Sequence, residues 1–458
     1  MVLRPFSTVW PLPLIALSCL NPLVAGAGVA LDIDSDDSIR SAASTVAYDL
    51  VTFYTGNNTG DVPGNLPDPY YWWEAGAFFG ALVNYWAFTG DSTYNNITIQ
   101  AMEHQAGDKG DFMPNNQTYT EGNDDQCFWA LSAMMAAERN FTNPSSSYPG
   151  WLSMVQAVFN EQANRWDTAS CNGGLRWQIY TWNAGYNYKN TIANGCFFDI
   201  AARLARYTGN ETYAEWATKS WNWAKAVGLI TSDYQVYDGT TDVSNCTSYD
   251  RTRWSYTAGI YLHGASVMYN YTSSLSTNAT STNSSSASTW KTRLDALLSK
   301  TSFLFSTNES SRHVMYEPPA YLSRWMADVT QLAPYTYDTI MIKLRATAQA
   351  AVAQCQGGTT GTFCGFRWSS GSYDGTTGVG QQMGVLEVLQ GLLSANVSAP
   401  VTATTGGTSE GNSAAGTESD TTTEVQYSAL TTADRAGASI MTAIVIGLIF
   451  SAVYMMIT

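Results

Sequence analysis

From about residue 33 to residue 394, apolar residues recur three and four positions apart, the spacing that lines them along one face of an α-helix. The runs are Ala42–Phe53, Trp73–Phe88, Gln126–Ala137, Trp151–Trp166, Ile192–Tyr207, Tyr213–Val227, Tyr256–Tyr271, Trp290–Leu304, Leu322–Leu332, Thr339–Ala353 and Val379–Leu393, with a weaker one at Tyr94–His104. The pattern predicts twelve helices; strand-like alternation is scarce. One ending repeats: Phe88-Thr89-Gly90-Asp91-Ser92-Thr93-Tyr94 returns as Tyr207-Thr208-Gly209-Asn210-Glu211-Thr212-Tyr213. In each copy the glycine suits the left-handed residue that closes a helix, and the following Asp or Asn suits the cap of the next. The copies lie 119 residues apart, about two units of sixty. Six helical hairpins of that size predict an all-α (α/α)6 toroid, with an open helical array as the alternative. In a toroid, the loops at one end form a cleft.

The two ends of the chain read differently. Arg4, the apolar stretch Leu12–Leu20 and Ala25-Gly26-Ala27 predict a secretory signal peptide over residues 1–27. Residues 395–436 are rich in Ser, Thr and Gly and predict a stalk beyond a catalytic domain at 28–394. Residues 437–458 are apolar, and no basic residue follows Arg435. A spanning helix ordinarily carries Lys or Arg on its cytoplasmic side, so this tail predicts a removable signal for a glycosylphosphatidylinositol (GPI) anchor; a membrane helix is the alternative. Together these features predict a protein on the outer face of the plasma membrane or in the cell wall.

Export agrees with the sequons at Asn57, Asn96, Asn116, Asn140, Asn210, Asn245, Asn270, Asn278, Asn283, Asn308 and Asn396. Six cysteines remain after the leader: Cys127, Cys171, Cys196, Cys246, Cys355 and Cys364. In an oxidising compartment they predict three disulfides, of which Cys355–Cys364 is the one pairing the sequence suggests. The 22 basic and 37 acidic residues give a net charge of −15 and no basic run, which excludes a nucleic-acid partner. Three His residues and the absence of clustered Cys pairs predict neither a metal nor a cofactor. Sixteen Trp and 27 Tyr supply rings for a core and for stacking on sugars.

The chemistry centres on Gly122-Asn123-Asp124-Asp125-Gln126, which precedes an apolar helix. Two acids at a helix start have a plain explanation in capping and the helix dipole. They also place two carboxyls in one cleft with Cβ atoms roughly 5–6 Å apart, close to the separation retaining glycosidases use. One would attack the anomeric carbon; the other would protonate the leaving oxygen and then activate water or an acceptor sugar. Other loops mix rings, amides and a guanidinium: Trp72 and Trp73; Arg176, Trp177 and Gln178; Tyr188, Asn190 and Asn194; and Arg253-Trp254-Ser255-Tyr256. With Asn123 and Gln126 they form the expected sugar-binding set, although Asn190 equally suits a helix cap.

In these segments the chain resembles glycoside hydrolase family 76, the endo-α-1,6-mannanases, and most of all its fungal GPI-anchored cell-wall members. The resemblance spans about 35–394 and rests on Trp72-Trp73-Glu74-Ala75-Gly76, Asn123-Asp124-Asp125-Gln126, Gly173-Gly174-Leu175-Arg176-Trp177-Gln178, Asn190-Thr191-Ile192-Ala193-Asn194-Gly195, Ser323-Arg324-Trp325-Met326 and Gly380-Gln381-Gln382-Met383. It implies the (α/α)6 fold and a retaining mechanism, with Asp124 as nucleophile and Asp125 as acid/base. It implies a donor that is α-mannan or the mannose core of a GPI glycan, and β-glucan as an acceptor in transglycosylation. A sugar-binding wall glycoprotein without turnover is the rival reading. The chain departs from the family where Thr257, not Asn, follows Tyr256, and where Cys127 follows the acids.

Overall fold

The computed structural model describes residues 28–117, 120–276 and 281–417, with isolated positions from 439 to 446. Among the described residues there are twelve α-helices: α1 (Asp36–Val51), α2 (Trp72–Thr89), α3 (Asn95–Gln105), α4 (Asn123–Glu138), α5 (Trp151–Asn164), α6 (Thr191–Thr208), α7 (Glu211–Ala226), α8 (Ser255–Ser276), α9 (Ser281–Lys300), α10 (Ala320–Leu332), α11 (Tyr337–Ala353) and α12 (Val379–Gly391). The even-numbered helices pack side by side in the order α2, α4, α6, α8, α10, α12, and α12 returns to α2, closing an inner ring. The odd-numbered helices pack outside it: α3 on α2, α5 on α4, α7 on α6, α9 on α8, α11 on α10 and α12, and α1 on α12. This is the (α/α)6 toroid. The inner helices bury nearly every residue, as an element covered on all sides must.

Both repeated endings work as helix stops. Gly90 and Gly209 adopt the left-handed conformation at φ 80° and 74°. Asn210 then caps α7 by accepting from the Thr212 N–H at 3.0 Å. Asp91 differs from the expectation: it accepts from the Thr93 N–H and hydroxyl, which holds the turn, and α3 starts four residues later.

All inner helices begin at one end of the ring and finish at the other. The finishing end is closed by buried ions. Arg203 bonds Glu138 Oε2 through Nη2 at 2.6 Å and Arg139 pairs with Asp328, while deeper in the ring His263 Nδ1 lies 2.8 Å from Asp199 Oδ1. Such groups are tolerated inside because each charge has a partner. Short strands line the starting end: β1 (Tyr188–Asn190), β2 (Gly239–Thr241) and β3 (Tyr249–Asp250) form one antiparallel sheet. β4 (Cys355–Gly357) and β5 (Phe363–Cys364) form another.

The cysteine expectation needs correction. Cys171–Cys246 and Cys355–Cys364 are disulfides, whereas Cys127 on α4 and Cys196 on α6 are buried free thiols. The two thiols lie near each other across the α4–α6 seam without a covalent bond. Four sequons also have structural work: Asn140 Nδ2 donates to Gly406 O and Asn270 Nδ2 to Leu332 O, each at 2.9 Å, Asn396 Nδ2 donates to Asp36 Oδ2 at 2.6 Å, and Asn210 caps α7. Asn57, Asn96, Asn116, Asn210, Asn245, Asn308 and Asn396 are exposed, and the side chains of Asn278 and Asn283 lie outside the described residues. The expected leader and most of the expected tail lie outside them as well, and no described helix is long and apolar enough to cross a membrane. Residues 397–417, expected as stalk, run against the toroid instead.

Candidate active site

The starting end of the ring carries the two aspartates in the first turn of α4. Gly122 precedes that helix, and its N–H donates to Asp125 Oδ2 at 2.7 Å. A Cβ on Gly122 would stand 2.4 Å from Asp124 Oδ1 and 2.9 Å from Trp177 O, so only glycine lets the carboxylates fold back over the turn. Asp124 accepts two hydrogen bonds: the Asp125 N–H on Oδ1 at 3.0 Å and Asn190 Nδ2 on Oδ2 at 2.7 Å. Asn190 ends β1 and caps α6, its Oδ1 accepting from the Ala193 N–H. One amide thus both starts a helix and holds a carboxylate.

Burial, the larger effect, and the neighbouring Asp125 charge push the Asp124 carboxyl well above the usual carboxylate range, while the Asn190 and Asp125 donors pull it back. Burial pushes Asp125 up to about 6, opposed by the Gly122 N–H. Two adjacent buried carboxyls resist carrying two negative charges, so the pair shares a proton and titrates as a unit. Two donors favour the anion on Asp124 and one on Asp125. Burial acts harder on Asp124 and hydrogen bonding favours its anion, so the two effects oppose each other and the pair carries one charge and one proton between them. The arrangement supplies one nucleophilic carboxylate and one acid side by side.

The predicted sugar-binding residues divide into two groups. The structure gathers Trp73, Trp177, Gln178, Tyr188 and Asn190 with Tyr256 around the aspartates. Trp177 is exposed, and the 177–178 strand segment meets Gly122 through a Gln178 bridge. Trp73 stacks beside Phe128 with centroids 4.9 Å apart, just beyond the acids on α4. The Tyr188 hydroxyl donates to Asp238 Oδ2 at 2.5 Å, and burial together with that bond raises its pKa. Burial raises the pKa of Tyr256 too, and the charges of Asp238 and Asp124 add to the rise.

The rest are held by protein partners. Arg176 pairs with Asp167 Oδ2 at 2.7 Å and with Asp242, and it donates to Tyr186 O. It fixes the loop that the Cys171–Cys246 disulfide also closes. Asn194 is buried and bonds the backbone of Leu175 in both directions. Asn123 donates to Arg176 O, and Gln126 donates to Asp111 O and Glu161 Oε2. Trp72 turns outward, its Nε1 donating to Gln105 Oε1 at 2.7 Å. These groups face protein because the turns around the acids leave many backbone groups that need partners. Replacing Arg176 with Ala should cost stability and leave affinity unchanged. It leaves Asp242 without its cation while Lys189 keeps Asp167 paired, for about 2 kcal/mol of destabilisation. Urea unfolding and sugar titration, compared on one preparation, check this.

Sequence reasoning missed two residues. Asp238 accepts from both Tyr188 and the exposed Trp254, whose Nε1 donates at 2.8 Å, and so braces the cleft wall. Nothing in its local sequence marks it. Glu121 is buried beside the pair with both carboxyl oxygens unpartnered, and burial and the Asp125 charge push it up to about 9. Its signal was the acid-rich run Glu121–Asp125 itself. The Thr257 departure lies inside the wall: that side chain is buried and donates to Trp254 O at 3.0 Å. Among the described residues no three His, Cys, Asp or Glu side chains are placed to hold a metal ion.

A helical toroid with a paired carboxylate and carboxylic acid in an aromatic cleft at its open end is the build of a glycoside hydrolase. The model of glycosyl hydrolase family 76 matches residues 38–404, and the chain belongs to that family. It is 44% identical to the Saccharomyces cerevisiae mannan endo-1,6-alpha-mannosidase DCW1 across 91% of this chain and 92% of that one. It is 39% identical to the Candida albicans mannan endo-1,6-alpha-mannosidase DFG5 across 93% and 95%. The crystal structure of Dfg5 from Chaetomium thermophilum in complex with glucosamine superposes with a TM-score of 0.78 at 45% identity, covering 85% of this chain and 98% of that one. An inactive variant of the Salegentibacter α-1,6-mannanase in complex with α-1,6-mannotetrose, two consecutive aspartates replaced by alanine, shares the fold at a TM-score of 0.59 and 14% identity, covering 78% and 98%. The protein is an enzyme, a glycoside hydrolase.

Proposed function

We propose that the chain is a retaining endo-α-1,6-mannosidase or transglycosidase acting on α-mannan or on the mannose core of GPI glycans in the fungal cell wall. The observation that carries this reading is the Asp124–Asp125 pair in one helical turn, with two donors on Asp124 and one on Asp125. Asp124 attacks the anomeric carbon as Asp125 gives its proton to the leaving oxygen, forming a mannosyl ester. Asp125, now a carboxylate, takes a proton from water or an acceptor hydroxyl, which displaces Asp124 and restores the α configuration. Tyr188, Tyr256, Trp73, Trp177 and Trp254 supply ring faces and hydroxyls for the sugar units. The relatives named as mannan endo-1,6-alpha-mannosidases support the mannan donor. The glucosamine bound by the Chaetomium protein supports a GPI-glycan donor, whose amino sugar is a cation that an acidic wall favours. In the transfer version, a β-glucan hydroxyl replaces water, and anchored glycoproteins become joined to the wall. A GPI lipid at the C-terminus would keep the enzyme where such donors arrive, and phospholipase release of the mature protein from membranes tests that point.

Product analysis decides the chemistry. Incubation with α-1,6-mannotetraose or a GPI-core glycan, with and without a β-glucan oligosaccharide, should give an initial α-anomer by NMR. A donor–acceptor conjugate by mass spectrometry marks transfer. An initial β-anomer would remove the retaining assignment. Binding without turnover of any donor would favour a wall lectin.

A further inference from the structure

The segment that sequence composition assigns to a stalk is part of the folded unit. After α12 the chain crosses the finishing end of the inner ring. Arg139 at the end of α4 donates to Ser398 O at 2.9 Å, and Arg206 at the end of α6 donates to Pro400 O at 2.6 Å. Both α4 and α6 stand across the ring from α12. The Val401 and Ala403 N–H groups bond Glu138 O and Tyr207 O. Asn140 then clamps the chain, donating to Gly406 O and accepting from the Thr408 N–H.

From there the segment turns and climbs the outer helix α5. Ser409 Oγ accepts from the Leu152 N–H, the Asn412 N–H donates to Gln156 Oε1, and Asn160 Nδ2 donates to Ser413 O and Ala415 O. These contacts move from residue 152 to residue 160, about 12 Å along the helix axis. The direction matters because α5 runs antiparallel to α4. Its start lies at the finishing end of the ring, whereas its end reaches the active site, where Gln162 Nε2 donates to Asn123 O. At Gly416 the chain lies against the Ala157 backbone, halfway up α5 and heading away from the closed end.

We propose that residues 397–417 are a strap that leads the C-terminal chain off the closed end of the toroid and up its flank toward the catalytic end, so that whatever holds the C-terminus draws the active-site mouth toward it. The docking is backbone-close: a Cβ on Gly407 would lie 2.3 Å from the Tyr207 hydroxyl, and one on Gly411 would lie 2.7 Å from Leu152 Cδ2. Both glycines are far from the aspartates. For a membrane-anchored chain, a point that rests on the anchor reading above, the strap turns the cleft toward the bilayer and the glycans nearest it. Without it, the whole height of the barrel would separate the cleft from the tether.

The test uses the full chain in detergent and needs neither anchor nor substrate. A dye at Ser428→Cys is paired with a second at Tyr71→Cys, at the catalytic end, or at Ser92→Cys, at the other end; residues 71 and 92 are both exposed. Energy transfer to position 71 should exceed transfer to position 92. In the Gly407→Leu/Gly411→Leu variant that difference should vanish, while hydrogen exchange at the Val401, Ala403 and Asn412 amides should rise at least tenfold. The Asn140→Gly/Asn160→Ala variant removes clamps without adding bulk and should act alike if the first pair disturbs folding. Stronger transfer to position 92 in the unaltered strap overturns the proposal, and so does an unchanged ratio after exchange shows the strap free. Failure of phospholipase to release the protein would instead overturn the anchor reading and leave the transfer result standing.

Discussion

Asp124→Asn lowers kcat by about four orders of magnitude or more while leaving the fold intact, because it removes the only bond the mannosyl intermediate makes to the protein. The amide fills the same volume and can keep its oxygen on Asn190 Nδ2, so the cap that Asn190 places on α6 stays. The sharper form of the prediction uses Asp124→Ala, an activated aryl α-mannoside and azide. With the nucleophile gone, azide enters the space it leaves and attacks once, so the product is the β-mannosyl azide. An α-azide from this variant would mean that another group forms the intermediate. Thermal melting of the variant, measured beside the wild type, separates lost chemistry from lost structure.

Asp125→Asn is expected to cost about 10²–10⁴-fold on mannan, the usual range for a general acid. The loss should be much smaller on an aryl mannoside whose leaving group needs no proton. Azide should then yield the α-azide, since the ester on Asp124 forms first and a second displacement follows. The pH profile is a separate readout. Asp125 must be protonated to act, and burial holds its carboxyl up to about 6. In the wild type kcat/KM on mannan should therefore fall as pH rises through about 6, and in Asp125→Asn acting on the aryl donor that limb should be absent. An alkaline limb that survives the substitution assigns the acid to another residue.

The helical pattern was legible because inner helices bury every side while outer helices bury a stripe, and both leave apolar residues at helical spacing. The predicted starts slipped where the first turns are polar. α1 begins at Asp36, capped by Ser35, ahead of its first apolar run, and α9 begins at Ser281, well before Trp290. β1, β2 and β3 are two or three residues long and mostly polar, too short for alternation to show. The strap escaped notice for a different reason. Its docking uses backbone groups and glycine closeness, which Ser-, Thr- and Gly-rich composition permits but does not announce. Of the site, the paired aspartates could be read from two adjacent letters, and Asn190 suits both a cap and a ligand. Whether Arg176 faced sugar or protein depended on Asp167 and Asp242, which lie 9 residues before and 66 residues after it. The free thiols Cys127 and Cys196 show the limit of cysteine parity, since an even count says nothing about which pairs meet.

Because all six inner helices start at the same end, their backbone dipoles add there. Each helix start carries roughly half a positive charge. Six of them ring the cleft, while the outer helices bring their negative ends to the same face at a larger radius, so the potential left at the centre is positive but well below the simple sum. This standing potential needs no lysine, does not titrate and survives any exchange of the loops. It lowers the cost of the one negative charge that Asp124 and Asp125 hold between them within a nearly dry cleft.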